Sequence, residues 1–269
     1  DYPKTGHLSE HLCTINEVRE TISWDFFSAN NFVDQNAKQW AGTVHELMKE
    51  HSPENNRLAI DVSDPVGIQS LLNEFQVDLV NAQRLMELAR SIKSPDELMC
   101  IKASIATAEK GIALMKDKLQ AGMTEEELWA YLHKVNIENG GEWFECRLLV
   151  SGPRTNPWLQ ECSNRIIEPG DLVAFDTDMV GPYGYCADIS RTFVEGGIFS
   201  DEQRRLYSLA VEHLHHNKEL IKAGTSFREF AEKAWKLPDN CYDNHYPCII
   251  HGIGLCDEFP YVAYPNQDF

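Results

Sequence analysis

The run Phe175-Asp176-Thr177-Asp178-Met179-Val180, the turn Gly181-Pro182-Tyr183-Gly184 and the return Tyr185-Cys186-Ala187-Asp188-Ile189-Ser190 decide how this chain is read. Two largely apolar arms, residues 171–180 and 185–194, flank Gly/Pro turn chemistry, which predicts a β-hairpin. Carboxylates inside such arms need a reason, because an unpaired buried charge is strongly disfavoured. Asp176 and Asp178 are two residues apart, so an extended strand puts them on one face. A turn centred on Tyr183 sets Asp178 across from Asp188, with Cβ atoms about 4.5–5.5 Å apart. Three carboxylates then converge on one small volume, and their mutual repulsion asks for a divalent cation.

A second informative segment follows, Ile249-Ile250-His251-Gly252-Ile253-Gly254-Leu255-Cys256-Asp257-Glu258-Phe259-Pro260. His251 ends an apolar strand predicted over residues 246–251, and the two glycines after it allow close backbone approach. Beside three aspartates, His251 becomes a fourth candidate ligand. Oxygen-rich ligation with one imidazole suits iron, manganese or zinc, and excludes copper(I) and iron–sulfur clusters.

Outward from these segments the chain alternates in pattern. Ser94-Pro95-Asp96-Glu97 is a capping box with Pro at the first helical position. Behind it, Leu98, Ile101, Ile105, Ala108, Ile112, Met115 and Leu119 form the stripe of a long amphipathic helix ended by Gly122. Thr124-Glu125-Glu126-Glu127 opens a second helix that ends at Gly140-Gly141. Residues 144–150 read as a strand. Ser200 caps a helix to about Lys222, and Ser226 caps another to about Trp235. Before Ser94, strands at 57–62 and 77–80 alternate with helices at 64–72 and 82–92, which suggests a small α/β domain. The expected boundary lies near residue 93, with an N-terminal domain over 1–93 and a catalytic domain over 94–269.

The composition narrows the class. The 269 residues are 43% hydrophobic and 25% charged, ordinary values for a folded chain. Asp and Glu number 42 against 24 Lys and Arg, for a net charge of -18. That balance argues against a nucleic-acid partner and against docking on an anionic membrane. The eight cysteines form no C-x-x-C pair, so free thiols in a reducing, cytoplasmic setting are expected. No apolar run reaches the length of a membrane span. Arg191 and Glu258 are expected in structural ion pairs.

The Asp-x-Asp…Asp hairpin, the later His-Gly-x-Gly and the Ile92-Lys93-Ser94-Pro95-Asp96-Glu97 start of a long helix resemble the pita-bread metallohydrolases: aminopeptidase P, prolidase and creatinase. The resemblance covers about residues 90–260 and implies an α+β pita-bread catalytic domain behind a smaller α/β domain. It matches Asp178, Asp188 and His251 to ligands of a dinuclear metal centre; Asp176 is extra relative to the peptidases. Two further glutamate ligands are implied downstream, whereas Phe269 ends the sequence 18 residues after His251. The sequence is therefore expected to be part of a longer chain, cut at both ends. The family's members are commonly homodimers.

Three departures point away from peptide hydrolysis. The stretch Ser151–Trp158 lacks the histidine of the peptidases, Cys256 and Asp257 stand where they place another, and Asp176 is added. These features resemble a non-hydrolytic branch of the fold, the metal-dependent dimethylsulfoniopropionate (DMSP) lyases. That resemblance implies Asp257 as catalytic base and Tyr246 as a substrate-site residue; the metal is expected to be iron, with zinc, manganese or another divalent ion left open. DMSP carries a sulfonium cation at one end, and aromatic faces hold such cations. Trp143, Trp158, Tyr183, Tyr185 and Tyr246 flank the proposed site, and Trp143, Trp158, Tyr183 and Tyr246 are the candidates. The rival readings are an Xaa-Pro metallopeptidase and a non-catalytic binding module on the same fold.

Overall fold

The structure, a computed structural model, describes residues 10–265. The chain divides into two compact units, one running to Met86 and one starting at Glu87. In the first, α1 (Phe26–Ala29) and α2 (Val33–His51) precede β1 (Arg57–Ile60), α3 (Pro65–Phe75) and β2 (Asp78–Asn81). The two strands are parallel, with Leu58 opposite Leu79, and α3 is the crossover that parallel strands require. Asp64 starts α3 because its carboxylate accepts the Val66 and Gly67 N–H groups. Ala41, Leu71 and Val77 form the small core of this unit, with Trp40 and Phe75 packed against it. The helix α4 (Gln83–Arg90) follows.

The second unit opens with α5 (Pro95–Lys118) and α6 (Glu125–Glu138). Both capping boxes form reciprocally, Ser94 with Glu97 and Thr124 with Glu127. The α5 stripe buries Ile101, Ala108, Ile112 and Met115, while Leu98, expected in the stripe, is 46% exposed at the helix start. The helices cross closely at Gly111, where a Cβ would sit 2.5 Å from Leu132 Cδ1. Their buried faces share one core with Leu149, Val173, Phe175 and Met179.

The predicted hairpin is present, but each arm is broken once. One arm is β4 (Leu172–Phe175) then β5 (Met179–Val180); the other is β6 (Cys186–Ala187) then β7 (Arg191–Val194). The inner pair Val180↔Cys186 and the outer pair Phe175↔Arg191 are each equidistant from Tyr183, as the turn placement required. The two gaps, residues 176–178 and 188–190, therefore face each other, and all three aspartates lie in them. The expectation that Asp176 and Asp178 share a strand face fails for a local reason: Asp178 has φ 34°, so the backbone is not extended there. Thr177, fully buried, bridges the gap with its side chain. Its hydroxyl donates to the Ala187 carbonyl (2.6 Å) and accepts from the Ile189 N–H (2.9 Å), replacing ladder bonds the gap removes.

The strand expected over 144–150 shrinks to β3 (Leu149–Ser151), antiparallel to β4, with isolated bridges at Phe144 and Leu148. Ser200 and Ser226 cap α7 (Asp201–Leu220) and α8 (Phe227–Lys233), both slightly shorter than expected. The strand expected over 246–251 lies at β8 (Cys248–Ile253) and pairs with β9 (Asp257–Ala263), a strand that was not anticipated. The β8–β9 register shifts between Cys248 and Ile250 and between His251 and Gly252. All eight cysteines are free. Among the described residues, no helix is long and apolar enough to cross a membrane.

Candidate metal centre

The two hairpins bring their polar residues together. Asp176, Asp178 and Asp188 form one cluster, and Asp188, His251 and Asp257 form another; within each, a ligand atom from every residue lies within 4.8 Å of the others. Asp188 belongs to both. His251 Nε2 lies 3.3 Å from Asp188 Oδ2, and His251 Nδ1 lies 3.9 Å from Asp257 Oδ1. His251 Nδ1 is also 3.0 Å from the Gly252 carbonyl oxygen. A carbonyl can only accept, so Nδ1 carries a proton and donates it, which leaves Nε2 directed at Asp188. The bulge at His251/Gly252 makes this turn of the ring possible by releasing the backbone from the regular ladder.

The electrostatics follow from crowding. Burial, then the hydrogen bond and charge of Asp188, push the Asp176 carboxyl up to about 8. Burial also raises Asp178, against the opposing hydrogen bond from Cys146. Burial is the largest single influence on Asp188 and would raise it, but the hydrogen bonds from His251, Asp176 and Asp178 and the His251 charge together hold Asp188 below the usual carboxylate range. The hydrogen bond to Asp188 lifts His251 to about 9. Burial and then the Asp188 charge lift Asp257 to about 6. The carboxylates outnumber the imidazole, and the excess acids resist ionisation. A divalent cation fits this donor set, because it supplies the positive charge the cluster lacks and prefers carboxylate oxygen with imidazole nitrogen.

Two neighbours were not anticipated. The Cys146 thiol donates to Asp178 Oδ2 (2.5 Å), and Glu145, whose N–H donates to the Asp178 carbonyl, is raised by desolvation and by the Asp178 and Asp188 charges. The available signal was a carboxylate inside the apolar run 144–150. The hairpin tip carrying Asp257 is anchored by Glu258, whose side chain is 1% exposed. Glu258 meets Arg90 Nε (2.7 Å) and Lys93 Nζ (3.3 Å) and accepts from the Leu255 N–H (3.0 Å). The ion pair expected for Glu258 is thus present. Arg191 differs from expectation: it has no ion pair among the described residues and donates to the Ser190 carbonyl instead (2.8 Å).

A cavity of about 600 Å³ opens on Asp176, Asp188 and His251. Trp158, Tyr246, Leu214 and three isoleucines of β8 (Ile249, Ile250 and Ile253) give it an apolar wall. Of the four aromatic candidates, Trp158 and Tyr246 line this cavity. Trp143 (57% exposed) and Tyr183 (76% exposed) are not on its wall; Tyr183 sits at the turn tip with φ 66°.

Comparison with known proteins places this geometry. The chain is 38% identical, over 99% of its own length, to dimethylsulfoniopropionate lyase DddP of Roseovarius nubinhibens, and 37% identical over 99% to that of Roseobacter denitrificans. It spans 61% of the length of each. The fold is that of an X-Pro aminopeptidase from Thermotoga maritima (TM-score 0.69, 22% identity, 89% of this chain and 70% of that one). It is equally that of an Xaa-Pro dipeptidase from Bacillus anthracis (TM-score 0.71, 23% identity, 88% and 70%). The pita-bread architecture implied by the motifs is therefore present. The model of metallopeptidase family M24 matches residues 99–269, which include every member of both acidic clusters, and the chain belongs to that family.

Proposed function

We propose that this protein is a metal-dependent DMSP lyase, cleaving DMSP to dimethyl sulfide and acrylate. The observation that carries the reading is the cavity itself, whose wall combines Asp176, Asp188 and His251 with Trp158 and Tyr246. That combination suits a substrate with an anionic and a sulfonium end. The similarity to the two lyases supports it along the whole chain.

Asp176, Asp178, Asp188 and His251 would hold the metal, and Asp188 is the residue that belongs to both clusters. Iron is our first choice, with zinc and manganese as alternatives on the same donor chemistry. Bound there, a divalent cation supplies Lewis-acid stabilisation of charge on the substrate carboxylate. Asp257 takes the proton alpha to that carboxylate. Its pKa of about 6 makes it a stronger base than an ordinary aspartate while leaving it ionised at neutral pH. The C–H electron pair becomes the new C=C bond, and the C–S pair leaves with dimethyl sulfide. Trp158 and Tyr246 hold the sulfonium over their faces, where removal from water strengthens the attraction. Assembly as a homodimer belongs to the same reading on family resemblance, and light scattering checks it.

The test incubates the protein and an Asp257→Ala variant with DMSP and, separately, with an Xaa-Pro dipeptide. Dimethyl sulfide in the headspace that disappears in the variant supports the lyase. Proline release without dimethyl sulfide supports the peptidase, which the fold relatives keep as the second reading. Neither product supports a binding module.

A further inference from the structure

Glu125 is a carboxylate with no exposed surface, far from the acidic clusters in sequence, and it touches neither of them. It stands in the first turn of α6, one residue after the capping Thr124. One oxygen accepts from the Ser151 N–H (2.7 Å) and the Ser151 hydroxyl (2.8 Å). The other accepts from the Ser163 N–H (3.0 Å), the Ser163 hydroxyl (2.8 Å) and the Arg154 guanidinium. Five donors on one buried carboxylate satisfy its acceptor capacity, and every donor comes from residues 151–163.

The geometry is that of a clasp. Ser151 and Ser163 are the two ends of a loop, and Arg154 lies inside it, bracing it again by donating to the Glu161 carbonyl (2.9 Å). Trp158 is at the middle of this loop and on the cavity wall. Asn156 of the same loop accepts from Asn244 Nδ2 (2.8 Å), two residues before Tyr246. The regular structure of the loop is a 3-10 turn at Gly152–Thr155 and, near its far end, a lone bridge of Glu161 to Leu148, beside which the Cys162 N–H donates to the Arg147 carbonyl (2.8 Å). Between the turn and the bridge, where Trp158 lies, no helix or strand holds the chain, and its course depends on these polar ties.

We propose that Glu125 is a positioning residue for the substrate cavity: by closing the 151–163 loop at both ends, it fixes Trp158 against the cavity and, through Asn156 and Asn244, supports Tyr246. This rests on the lyase reading only for the identity of the ligand that Trp158 meets. Glutamine at position 125 keeps the shape but turns one acceptor into a donor. That amide faces existing donors at Ser151 or at Ser163 and Arg154, so one end of the loop must let go.

Two measurements test the clasp. The first is independent of turnover: limited trypsin digestion with mass analysis of cuts after Arg154 and Arg165. Glu125→Gln is expected to raise cleavage at these sites at least about tenfold at a temperature where its circular dichroism matches that of the parent; equal protection overturns the proposal. The milder Ser163→Ala serves the same purpose if Glu125→Gln does not fold. The second uses DMSP kinetics. Glu125→Gln is expected to raise KM about tenfold with kcat changed less than threefold and metal content unchanged. In a Trp158→Leu background that rise is expected to shrink to what the Tyr246 support contributes, because the loop then has no ring of its own to place. A fall in kcat with unchanged KM, or an undiminished effect in the Trp158→Leu background, overturns the positioning role. If the parent makes no dimethyl sulfide, the lyase reading fails while the digestion still decides the clasp.

Discussion

The two hairpins of the second unit deliver their candidate ligands by different means. The β4–β7 hairpin is interrupted symmetrically, keeps one register on both sides of the gap and places three aspartates inside it. The β8–β9 hairpin is continuous but shifted twice, and the shift at His251/Gly252 accompanies the turn of one imidazole toward Asp188. A matched gap creates a pocket for several short side chains without disturbing the flanking core. A bulge re-aims a single side chain at the cost of local register. The first solution needs something to hold the gap, and Thr177 does so. The second needs something to hold the tip, and Glu258 does so with Arg90 and Lys93.

The largest expected effect comes from Asp188, the one residue common to both clusters. Asp188→Ala removes a candidate ligand from each and the hydrogen-bond partner of His251. Bound metal, measured by elemental analysis, is expected to fall to background and dimethyl sulfide production by more than about 10²-fold, since even residues behind a metal ligand cost 10–100-fold. Next is Asp257→Asn, expected to reduce kcat by about 10²–10⁴-fold with metal retained. Loss of metal along with activity would make Asp257 a ligand and erase the division of labour between the hairpins.

The gap itself is tested by Thr177→Val, which keeps the volume and deletes the hydroxyl. Two ladder-replacing bonds are lost at a fully buried site, so destabilisation of about 1–3 kcal/mol is expected in denaturant melts. An unchanged midpoint would show that the flanking strands hold the gap without help. The smallest effect is expected from Tyr246→Leu, which keeps an apolar wall and removes one aromatic face. A cation–π contact contributes about 0.5–2 kcal/mol, so KM for DMSP is expected to rise a few-fold to about thirtyfold, read from initial rates.

Features set by neighbouring residues were readable in advance. Ser94, Thr124 and Ser200 announce helix starts through a side chain three residues from its backbone partner. The turn at Tyr183 announced its register for the same reason. By contrast, α2 has no side-chain cap at Phe32 and went unseen. The strand β9, with Pro260 and two leading acids, is a strand only because β8 lies beside it. In the site, Asp176, Asp178, Asp188 and His251 were visible as polar residues in apolar runs. Glu125 looked like an ordinary first-turn acid, because its donors arrive from 26 and 38 residues away. Trp143 and Tyr183 could not be separated from Trp158 and Tyr246 by proximity in sequence, since which rings share a wall depends on loop closure.

The matched gap has a consequence for how such a protein can change over generations. Residues 176–178 and 188–190 face each other between two stretches of paired strand. Insertion or deletion of one residue in either segment would slip the outer arm, turning buried Val173 and Phe175 out of the core. The spacing between the acids is thus locked on both sides, and length variation in this hairpin is confined to the turn around Tyr183. The lineage can exchange Asp176 for another side chain by a point change, and with it the chemistry of the centre, far more readily than it can alter how far apart the acids stand.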